Sequence, residues 1–362
     1  MKKDKGHGVD IGLGQKCSDL AYGWAKKAFG NRASKLGFPI MRGEGSFSNL
    51  LDFGDVGLGI ASDGVGTKVE VAERTGKYDT LGHDLVAMVV DDLAANGFEP
   101  VNISNVLDVD TLDYDVVDRL MHGIHDAAGL AGVAVTGGEI AELGDRIGGY
   151  GKGMHFNWCA TAIGVLRPKA RPVDGSKIAA GHAIVALESS GFRCNGFTMV
   201  RSIMNDVFGP DWHRLPYDRE NSWGQVILTP SIIYSPLIQK LLDAETGISG
   251  IAHITGGGIP GNLGRVLKKS RTGATLHNLF DPQPFVRELH YNAGLARELA
   301  YERWNMGNGM LLIMPEDQVD RCLYMAQETN INAQVAGRVT REPTISIVSK
   351  GRTPWKLEFE VS

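Results

Sequence analysis

The glycines of this chain are concentrated in six short clusters, and each cluster borders an apolar segment with the character of a β-strand. The chain has 47 glycines among 362 residues, well above a usual share of about 7%. The clusters occupy residues 43–45, 54–66, 137–153, 191–196, 256–264 and 307–309. Glycine at a strand end permits tight turns and close approach of the backbone to a ligand. We therefore expect strands whose end loops converge on one ligand site.

The segments between these turns alternate between strand and helix patterns on both sides of a linker at residues 166–175, which contains two prolines and an Asp-Gly turn. Before the linker we predict strands at 56–61, 101–107, 132–136 and 158–166 and helices at 79–97 and 114–130. After it we predict strands at 183–188, 249–255, 310–314 and 333–339 and helices at 195–207, 229–243, 260–268, 285–300 and 316–328. The pattern and the length predict an α/β (α+β) fold with two domains, residues 1–168 and 169–362.

Charge and cysteine usage narrow the class of protein. The formal net charge of −5 argues against a nucleic-acid binder, which usually carries a basic domain or stripe. No stretch reaches the roughly 18 uninterrupted apolar residues of a membrane-spanning helix, and no apolar segment follows the basic N-terminus as in a secretory signal. The four cysteines form no C-x-x-C pair, so neither a zinc site nor a disulfide framework is indicated. We expect a cytoplasmic protein with small-molecule partners.

Four acidic residues beside turns form a candidate magnesium site. Asp63 opens the stretch DGVGTK, Asp91 and Asp92 lie on the predicted helix 79–97, and Glu139 follows two glycines. Hard oxygen ligands from separate elements suit Mg²⁺ that also holds nucleotide phosphates. The alternative is that these acids, the Asp91–Asp92 pair above all, are solvated surface groups.

The DGVGTK stretch also predicts a phosphate-binding loop. Lys68 would neutralise phosphate oxygens, with Thr67 and the amides of Gly64 and Gly66 as further donors. Its order differs from the common loop, which ends Gly-Lys-Ser/Thr, so we place Lys68 at the end of a glycine turn between extended segments. The alternative is a surface lysine at the start of a strand.

The second half has its own candidate anion site, a predicted strand that enters three glycines, Gly256 to Gly258, before a helix. The N-terminus of such a helix binds phosphate readily. His253, just before this turn, is either a core histidine or a polar group directed into the site. Asn195-Gly196 and Asn308-Gly309 are interpreted from position alone as plain turns.

Taken together, these motifs resemble the phosphoribosylformylglycinamidine cyclo-ligase family, the aminoimidazole ribonucleotide (AIR) synthetases. The stretches that carry the resemblance are residues 8–11, 62–68, 84–100, 136–142, 189–197, 253–262 and 305–310. They span nearly the whole chain, in the order of the family. DGVGTK and TGGG also recur in thiamine-phosphate kinases, selenophosphate synthetases and hydrogenase maturation proteins, whereas the Gly-Val-Asp-Ile start and His-x-Thr-Gly-Gly-Gly point to the cyclo-ligases.

The resemblance implies an ATP-dependent and Mg²⁺-dependent ring closure of formylglycinamidine ribonucleotide to aminoimidazole ribonucleotide, with ADP and phosphate as the other products. It also implies a homodimer in which the N-terminal sheets pair into a barrel, beside a C-terminal α/β domain. The site residues that it implies fall into four sets: His253, Thr255 and Lys68 for catalysis; Asp63, Gly64, Gly66, Thr67, Lys68, Asp92, Gly137, Gly138 and Glu139 for ATP; Gly45, Ser46, Arg193, Asn195, Gly256, Gly257 and Gly258 for the substrate; and Asp63, Asp91, Asp92 and Glu139 for the metal.

The sequence also departs from the family pattern. Arg193 stands where the family usually has a histidine, and Asp91 where it usually has an asparagine. The loop at 43–47 and the glycine-rich loop at 143–153 differ as well; the second is either a lid over ATP or a disordered surface loop. These departures keep two other functions open, a small-molecule kinase of the same fold, such as a thiamine-phosphate kinase, and a nucleotide-binding protein without catalysis.

Overall fold

The computed structural model describes residues 11–40, 47, 49–166, 168, 172–351 and 353–361. Its first part runs from a helix through a six-stranded sheet with three further helices. The elements are α1 (Ile11–Lys27), β1 (Phe38–Ile40), β2 (Asn49–Phe53), β3 (Val56–Gly64), α2 (Val69–Thr75), α3 (Leu81–Ala95), β4 (Glu99–Val109), α4 (Tyr114–Ala131), β5 (Ala134–Glu142) and β6 (Phe156–Leu166).

The first sheet has the strand order β1-β2-β3-β6-β4-β5, with β4 and β5 parallel and the other pairs antiparallel. Burial alternates along β6, because Trp158, Ala160 and Ala162 are buried while the residues between them are partly or fully exposed. The buried face packs on α3. Strand β5 closes one edge, and nearly all of its residues are exposed.

The second part is a seven-stranded sheet with helices on both faces. Its elements are β7 (Ala183–Glu188), α5 (Phe197–Phe208), α6 (Trp223–Ile227), α7 (Ser235–Asp243), β8 (Gly250–His253), α8 (Gly258–Leu267), β9 (Gly273–Leu276), α9 (Pro284–Ala293), α10 (Arg297–Arg303), β10 (Asn308–Met314), α11 (Val319–Glu328), β11 (Ala333–Thr340), β12 (Thr344–Val348) and β13 (Lys356–Glu360). The strand order is β13-β12-β9-β11-β7-β10-β8, and only β12 and β9 pair in parallel.

Strands β7 and β10 form the centre of this sheet, and their side chains alternate between two apolar clusters. Ile184 and Ala186 face the cluster that contains Phe197 of α5 and Leu263 of α8. The alternate residues of β7 face a second cluster built with α7 and α11. Continuous apolar strands of this kind are expected where a sheet is covered on both faces. The mixed α/β class predicted from sequence is therefore confirmed.

Three local predictions are wrong. Residues 229–234 are not helical, since α7 begins at Ser235. The helix predicted at 285–300 is two helices, α9 and α10, separated at Gly294, whose φ of +60° ends α9 in the left-handed conformation. Lys68 does not lie between extended segments, because it ends a 3₁₀ turn, Gly66–Lys68, that leads directly into α2.

None of the helices that the structure describes is long and apolar enough to pass through a membrane.

Candidate functional site

The two halves of the chain meet along residues 229–234, which we call the bridging segment. It has no regular secondary structure, so its backbone polar groups need partners from elsewhere. The Thr229 carbonyl accepts a hydrogen bond from Lys68 Nζ at 2.8 Å, and the Ser231 amide donates to Asp84 Oδ1 at 3.0 Å. Side chains from the first half of the chain therefore satisfy the backbone of the second, which explains why this segment does not continue α7.

Lys68 is a fully buried member of this contact. Its Nζ lies 2.6 Å from Asp84 Oδ2, and neither side chain is exposed. The Phe197 ring lies beside the ammonium, 5.5 Å from Nζ to the ring centroid. In this arrangement the Lys68 charge is neutralised by Asp84, and its role as a phosphate ligand stays a prediction. Sequence analysis did not identify Asp84 as the partner of Lys68.

Asp91 is held in the same manner by the second half of the chain. Its Oδ1 accepts hydrogen bonds from the backbone amides of Tyr234 and Ser235, both at 2.9 Å, and its Oδ2 pairs with Arg193 Nη2 at 2.9 Å. Both members of the pair are enclosed by protein. Each group already faces the other inside the fold, and the roles of Asp91 as a metal ligand and Arg193 as a substrate ligand stay predictions.

His253, at the end of β8, connects this pair to Asp92. Arg193 Nη2 lies 2.8 Å from His253 Nε2, and His253 Nδ1 lies 2.7 Å from Asp92 Oδ1. The imidazole is fully buried, whereas the Asp92 side chain keeps 18% of its surface exposed. Sequence analysis could not distinguish the roles of Asp91 and Asp92. In the structure the Asp91 side chain is buried, whereas the Asp92 side chain is partly exposed at the site. His253 is enclosed behind Asp92 and does not face the open side of the site.

Asp63, at the end of β3, is the second carboxylate at this point. Its Oδ1 accepts a hydrogen bond from the Gly64 amide at 2.7 Å. Burial raises the pKa of Asp63, and the nearby charge of Asp92 raises it further, against the lowering effect of the Gly64 hydrogen bond and His253. A buried carboxylate whose ionised form is disfavoured by burial and by a neighbouring carboxylate is a functional-site signal, since a bound cation would offset both effects.

Three of the predicted loops, at residues 63–68, 191–198 and 256–258, lie next to one another. Thr67 Oγ1 lies 3.3 Å from Thr198 Oγ1, which places the DGVGTK loop against the start of α5. A Cβ added to Gly256 would lie 3.7 Å from the side-chain nitrogen Nδ2 of Asn195, so these two predicted substrate positions are neighbours. The structure thus brings loops from both halves of the chain to one place.

The turn before α8 requires its glycines and is held by one side chain. Gly258 has a φ of +59°, and a Cβ there would lie 1.9 Å from the Tyr301 carbonyl oxygen. The Asn262 side-chain amide donates to the carbonyls of Thr255, Gly256 and Gly258 at 3.3, 3.2 and 2.8 Å. Thr255 and Gly257 remain partly exposed at the mouth, whereas Gly258 is buried. Asn262, which sequence analysis included only as part of a motif, therefore holds the predicted anion site.

Glu139 lies apart from Asp63. Along one row of the first sheet Gly64 pairs with Cys159, Cys159 with Val106, and Val106 with Glu139. Three strand spacings of about 4.8 Å therefore separate the backbone of Glu139 from that of Gly64, the neighbour of Asp63, by about 14 Å. Among the described residues, no group of three or more His, Cys, Asp or Glu side chains is placed to hold a metal. The predicted set Asp63, Asp91, Asp92 and Glu139 is therefore not assembled within the described part of one chain.

The remaining predicted positions have different outcomes. Gly137 and Gly138 lie on the edge strand β5 beside Glu139, with Gly138 packed against Asn105 of β4. Gly45 and Ser46 lie outside the described residues. The loop at 143–153 is mostly exposed and contacts the protein through Tyr150: the Tyr150 amide donates to Glu73 Oε2 at 2.8 Å, and the Arg74 guanidinium lies 4.0 Å from the Tyr150 ring centroid.

Comparison with known proteins gives two family matches and a set of relatives. Residues 45–166 match the model of the N-terminal domain of AIR synthase related proteins, and residues 179–350 match that of the C-terminal domain. The chain is 35% identical over 327 residues to the phosphoribosylformylglycinamidine cyclo-ligase of Thermococcus kodakarensis, which covers 90% of this chain and 92% of the relative. It is 36% identical over 280 residues to that of Sorangium cellulosum, with 77% and 79% covered.

Solved structures show the same fold at lower identity. A chain of the HypE–HypF complex superposes with a TM-score of 0.62 at 16% identity, covering 92% of this chain and 98% of the other. AaThiL, complexed with AMPPCP and TMP, superposes with a TM-score of 0.59 at 15% identity, covering 86% and 91%. The fold is thus shared by proteins with different names and ligands, so function has to be argued from the site and from the closer relatives.

Proposed function

The chain belongs to the AIR synthase related protein family, and on that premise we propose that it catalyses the ATP-dependent ring closure of formylglycinamidine ribonucleotide to aminoimidazole ribonucleotide, a step of purine biosynthesis. The γ-phosphoryl group of ATP would pass to the formamide oxygen with release of ADP. An amidine nitrogen would then attack the formyl carbon and lose a proton, and the activated oxygen would leave as phosphate. The similarity to cyclo-ligases over 92% of the length of the Thermococcus relative carries this proposal. We propose the cytoplasm as the place where the enzyme would meet both substrates.

The site fits a magnesium–nucleotide complex better than a metal held by protein alone. Mg²⁺ usually takes only one or two carboxylates from the protein, with phosphates and waters in its other positions. Asp63 and Asp92 supply two carboxylates at one place, and a bound cation would offset the burial and the Asp92 charge that raise the pKa of Asp63. When bound, the metal would neutralise charge on the phosphate oxygens. Asp63 and Asp92 are the residues that we assign to it.

The surrounding loops would bind the two substrates. The amides of Gly66 and Thr67 would contact the nucleotide phosphates, because this loop follows the end of β3 next to Asp63, whereas the Gly64 amide donates to Asp63 Oδ1. The partly exposed turn at Gly256 and Gly257, with Asn195 beside it, would hold the 5′-phosphate of the ribonucleotide at the N-terminus of α8. Thr255 lies at the same mouth and is our candidate for contact with the reacting groups. Positioning and charge neutralisation are what such chemistry requires from a protein.

We also propose that the chain has two domains, residues 1–168 and 169–362. The working form would be a homodimer whose interface is formed by the first sheet. One face of this sheet carries exposed apolar side chains, among them Ile60 and Ile163, which are paired across β3 and β6. Edge strand β5 is exposed as well, and an uncovered edge invites pairing with another strand. A second copy on this face would cover the apolar surface and bring Glu139, Gly137 and Gly138 into the interface.

Ile163→Lys should therefore make the protein monomeric, because a lysine would place an unpaired charge in the middle of the proposed apolar interface. Sedimentation velocity of the full chain measures the change directly. Tyr324→Lys is the matched control, since Tyr324 is an exposed aromatic residue of α11 on the other sheet. The dimer proposal fails if both variants sediment as the unsubstituted protein does.

The function is tested by incubating purified protein with Mg²⁺, ATP and formylglycinamidine ribonucleotide and assaying both free phosphate and the aromatic amine of the product. Stoichiometric appearance of amine and phosphate is the expected result. Phosphate transfer to thiamine phosphate without the amine would instead identify a kinase. Nucleotide binding with no turnover would identify a non-catalytic protein. The same assay on Asp63→Asn controls for contaminating ATPases.

A further inference from the structure

Arg193 occupies an unusual place for a charged side chain, because it is fully buried on a turn between β7 and α5. Its backbone has a φ of +60°, a left-handed conformation that is uncommon for residues other than glycine. Its guanidinium donates through Nη1 to the Ile232 carbonyl at 2.9 Å and through Nη2 to Asp91 Oδ2 at 2.9 Å. A buried charge persists only when it is paired and hydrogen-bonded, and Asp91 supplies that pairing.

The third contact of Arg193 determines which ring nitrogen of His253 carries the hydrogen. A guanidinium has five donors and no acceptor. His253 Nε2, 2.8 Å from Arg193 Nη2, must therefore accept a hydrogen bond. The ring hydrogen of the neutral imidazole is then on Nδ1, which donates to Asp92 Oδ1 at 2.7 Å. We call the sequence of contacts Asp91–Arg193–His253–Asp92 the buried relay.

The buried relay is anchored at its inner end and open at its outer end. Asp91 cannot swing, because two backbone amides of the second half of the chain donate to its Oδ1. Arg193 is further fixed beside the Tyr234 ring, with its guanidinium carbon 5.0 Å from the ring centroid. Asp92 alone keeps part of its surface exposed. Rigidity at the inner end is thus transmitted to Asp92, the one carboxylate of the buried relay that reaches the site.

We propose that Arg193 is a positioning residue, which holds the hydrogen of His253 on Nδ1 and thereby orients the Asp92 carboxylate toward the Mg²⁺ that it would bind. The role of Asp92 as a ligand of Mg²⁺ with nucleotide rests on the proposed function, whereas the buried relay itself does not. Asp91 and Arg193, two positions where the sequence departs from the family pattern, are linked in the structure, because their side chains form a single ion pair. Partners that orient metal ligands are worth about 10- to 100-fold in metal affinity or activity.

The first test is nitrogen-15 NMR of the histidine side chains in the full-length protein, with His253→Gln used to assign the His253 signals. The unsubstituted protein should show His253 with a hydrogen-bearing Nδ1 and a bare Nε2. Arg193→Met should abolish that signature, and Arg193→Lys, which keeps a donor and a charge, should retain it in part. An Nε2–H tautomer in the unsubstituted protein overturns the proposal even if every variant fails to fold.

The second test separates positioning from stability. Arg193→Met should lower kcat about 10- to 100-fold while the KM for ATP changes little, and it should weaken Mg²⁺ binding measured by calorimetry in the presence of a non-hydrolysable ATP analogue. Arg201→Met is the matched control, because Arg201 also joins the two halves of the chain, through Glu70. This control should lower stability and leave the His253 signature unchanged.

A double substitution tests whether the pair acts as a unit. Asp91→Asn combined with Arg193→His removes both charges and leaves neutral hydrogen-bonding groups. The double variant should therefore be at least about tenfold more active than either single variant. No recovery, together with an unchanged His253 signature in Arg193→Met, rejects the relay. Loss of the signature in a protein with no cyclo-ligase activity supports the relay and rejects the proposed function, so the two failures can be told apart.

Discussion

Lys68→Met is expected to lower the free energy of unfolding by about 3 to 5 kcal/mol, the usual cost of leaving one member of a buried ion pair without its partner. Lys68 and Asp84 are both fully buried at 2.6 Å, so the substitution leaves an uncompensated carboxylate inside the contact between the two halves. It also leaves the Thr229 carbonyl without its donor. Urea unfolding at neutral pH, followed by tryptophan fluorescence, measures the loss.

Two further variants make this result specific. Lys77→Met removes an exposed lysine 3.9 Å from Asp79, with side chains 50% and 49% exposed, and such surface pairs contribute about 0 to 1 kcal/mol. Adding Asp84→Asn to Lys68→Met should restore most of the stability, because the buried charge is then gone while the acceptor for the Ser231 amide remains. If Lys68→Met costs no more than Lys77→Met but weakens ATP binding, Lys68 is a phosphate ligand after all.

Asp63→Asn is expected to reduce turnover at least about 100-fold, beyond what loss of an orienting partner costs, while the metal-free protein becomes more stable. The pKa of Asp63 is raised by burial and by the charge of Asp92. A carboxyl whose pKa is higher in the folded than in the unfolded state makes folding less favourable as pH rises above about 4, its unfolded value. Asparagine removes that cost and still accepts from the Gly64 amide.

Thermal unfolding with and without Mg²⁺ and ATP checks both parts of this prediction. The unsubstituted protein should gain stability from the ligands by mass action, and Asp63→Asn should gain much less. Its stability advantage without ligand should grow as pH rises from about 4 through the folded pKa and then level off. Asp55→Asn, on the exposed turn at the other end of β3, is the control. Equal ligand stabilisation in all three proteins would remove Asp63 from the metal site.

Much of the fold could be predicted because its signals are local. The apolar runs of β3, β6, β7 and β10 and the amphipathic pattern of α4 appear at their predicted places. Short strands such as β9 and β12 were missed, because four or five residues carry too little pattern to separate a strand from a loop. The bridging segment was predicted as helix since its composition permits one, and long-range side-chain hydrogen bonds hold it in another conformation.

The candidate site shows the same division at the level of single residues. Asp91 and Asp92 are adjacent and chemically identical, yet one accepts from two backbone amides and Arg193 while the other reaches the opening. Helical geometry turns neighbours by about 100°, so they meet different surroundings. The roles assigned to the site residues stay predictions, and the experiments above are designed to test them.

The sequence by itself determined the α/β class, the positions of the glycine turns and, through its motifs, the family of this protein, because strand period, turn chemistry and motif spacing are properties of short segments. Only the tertiary structure decided that Lys68 is neutralised by Asp84, that Asp91 is the partner of Arg193, and that Glu139 lies strands away from Asp63. Arg193 and Asp91 are 102 residues apart in the chain, and no local pattern specifies which distant charge a buried group will meet. That choice is made when the two halves pack together and every buried charge has to find its partner.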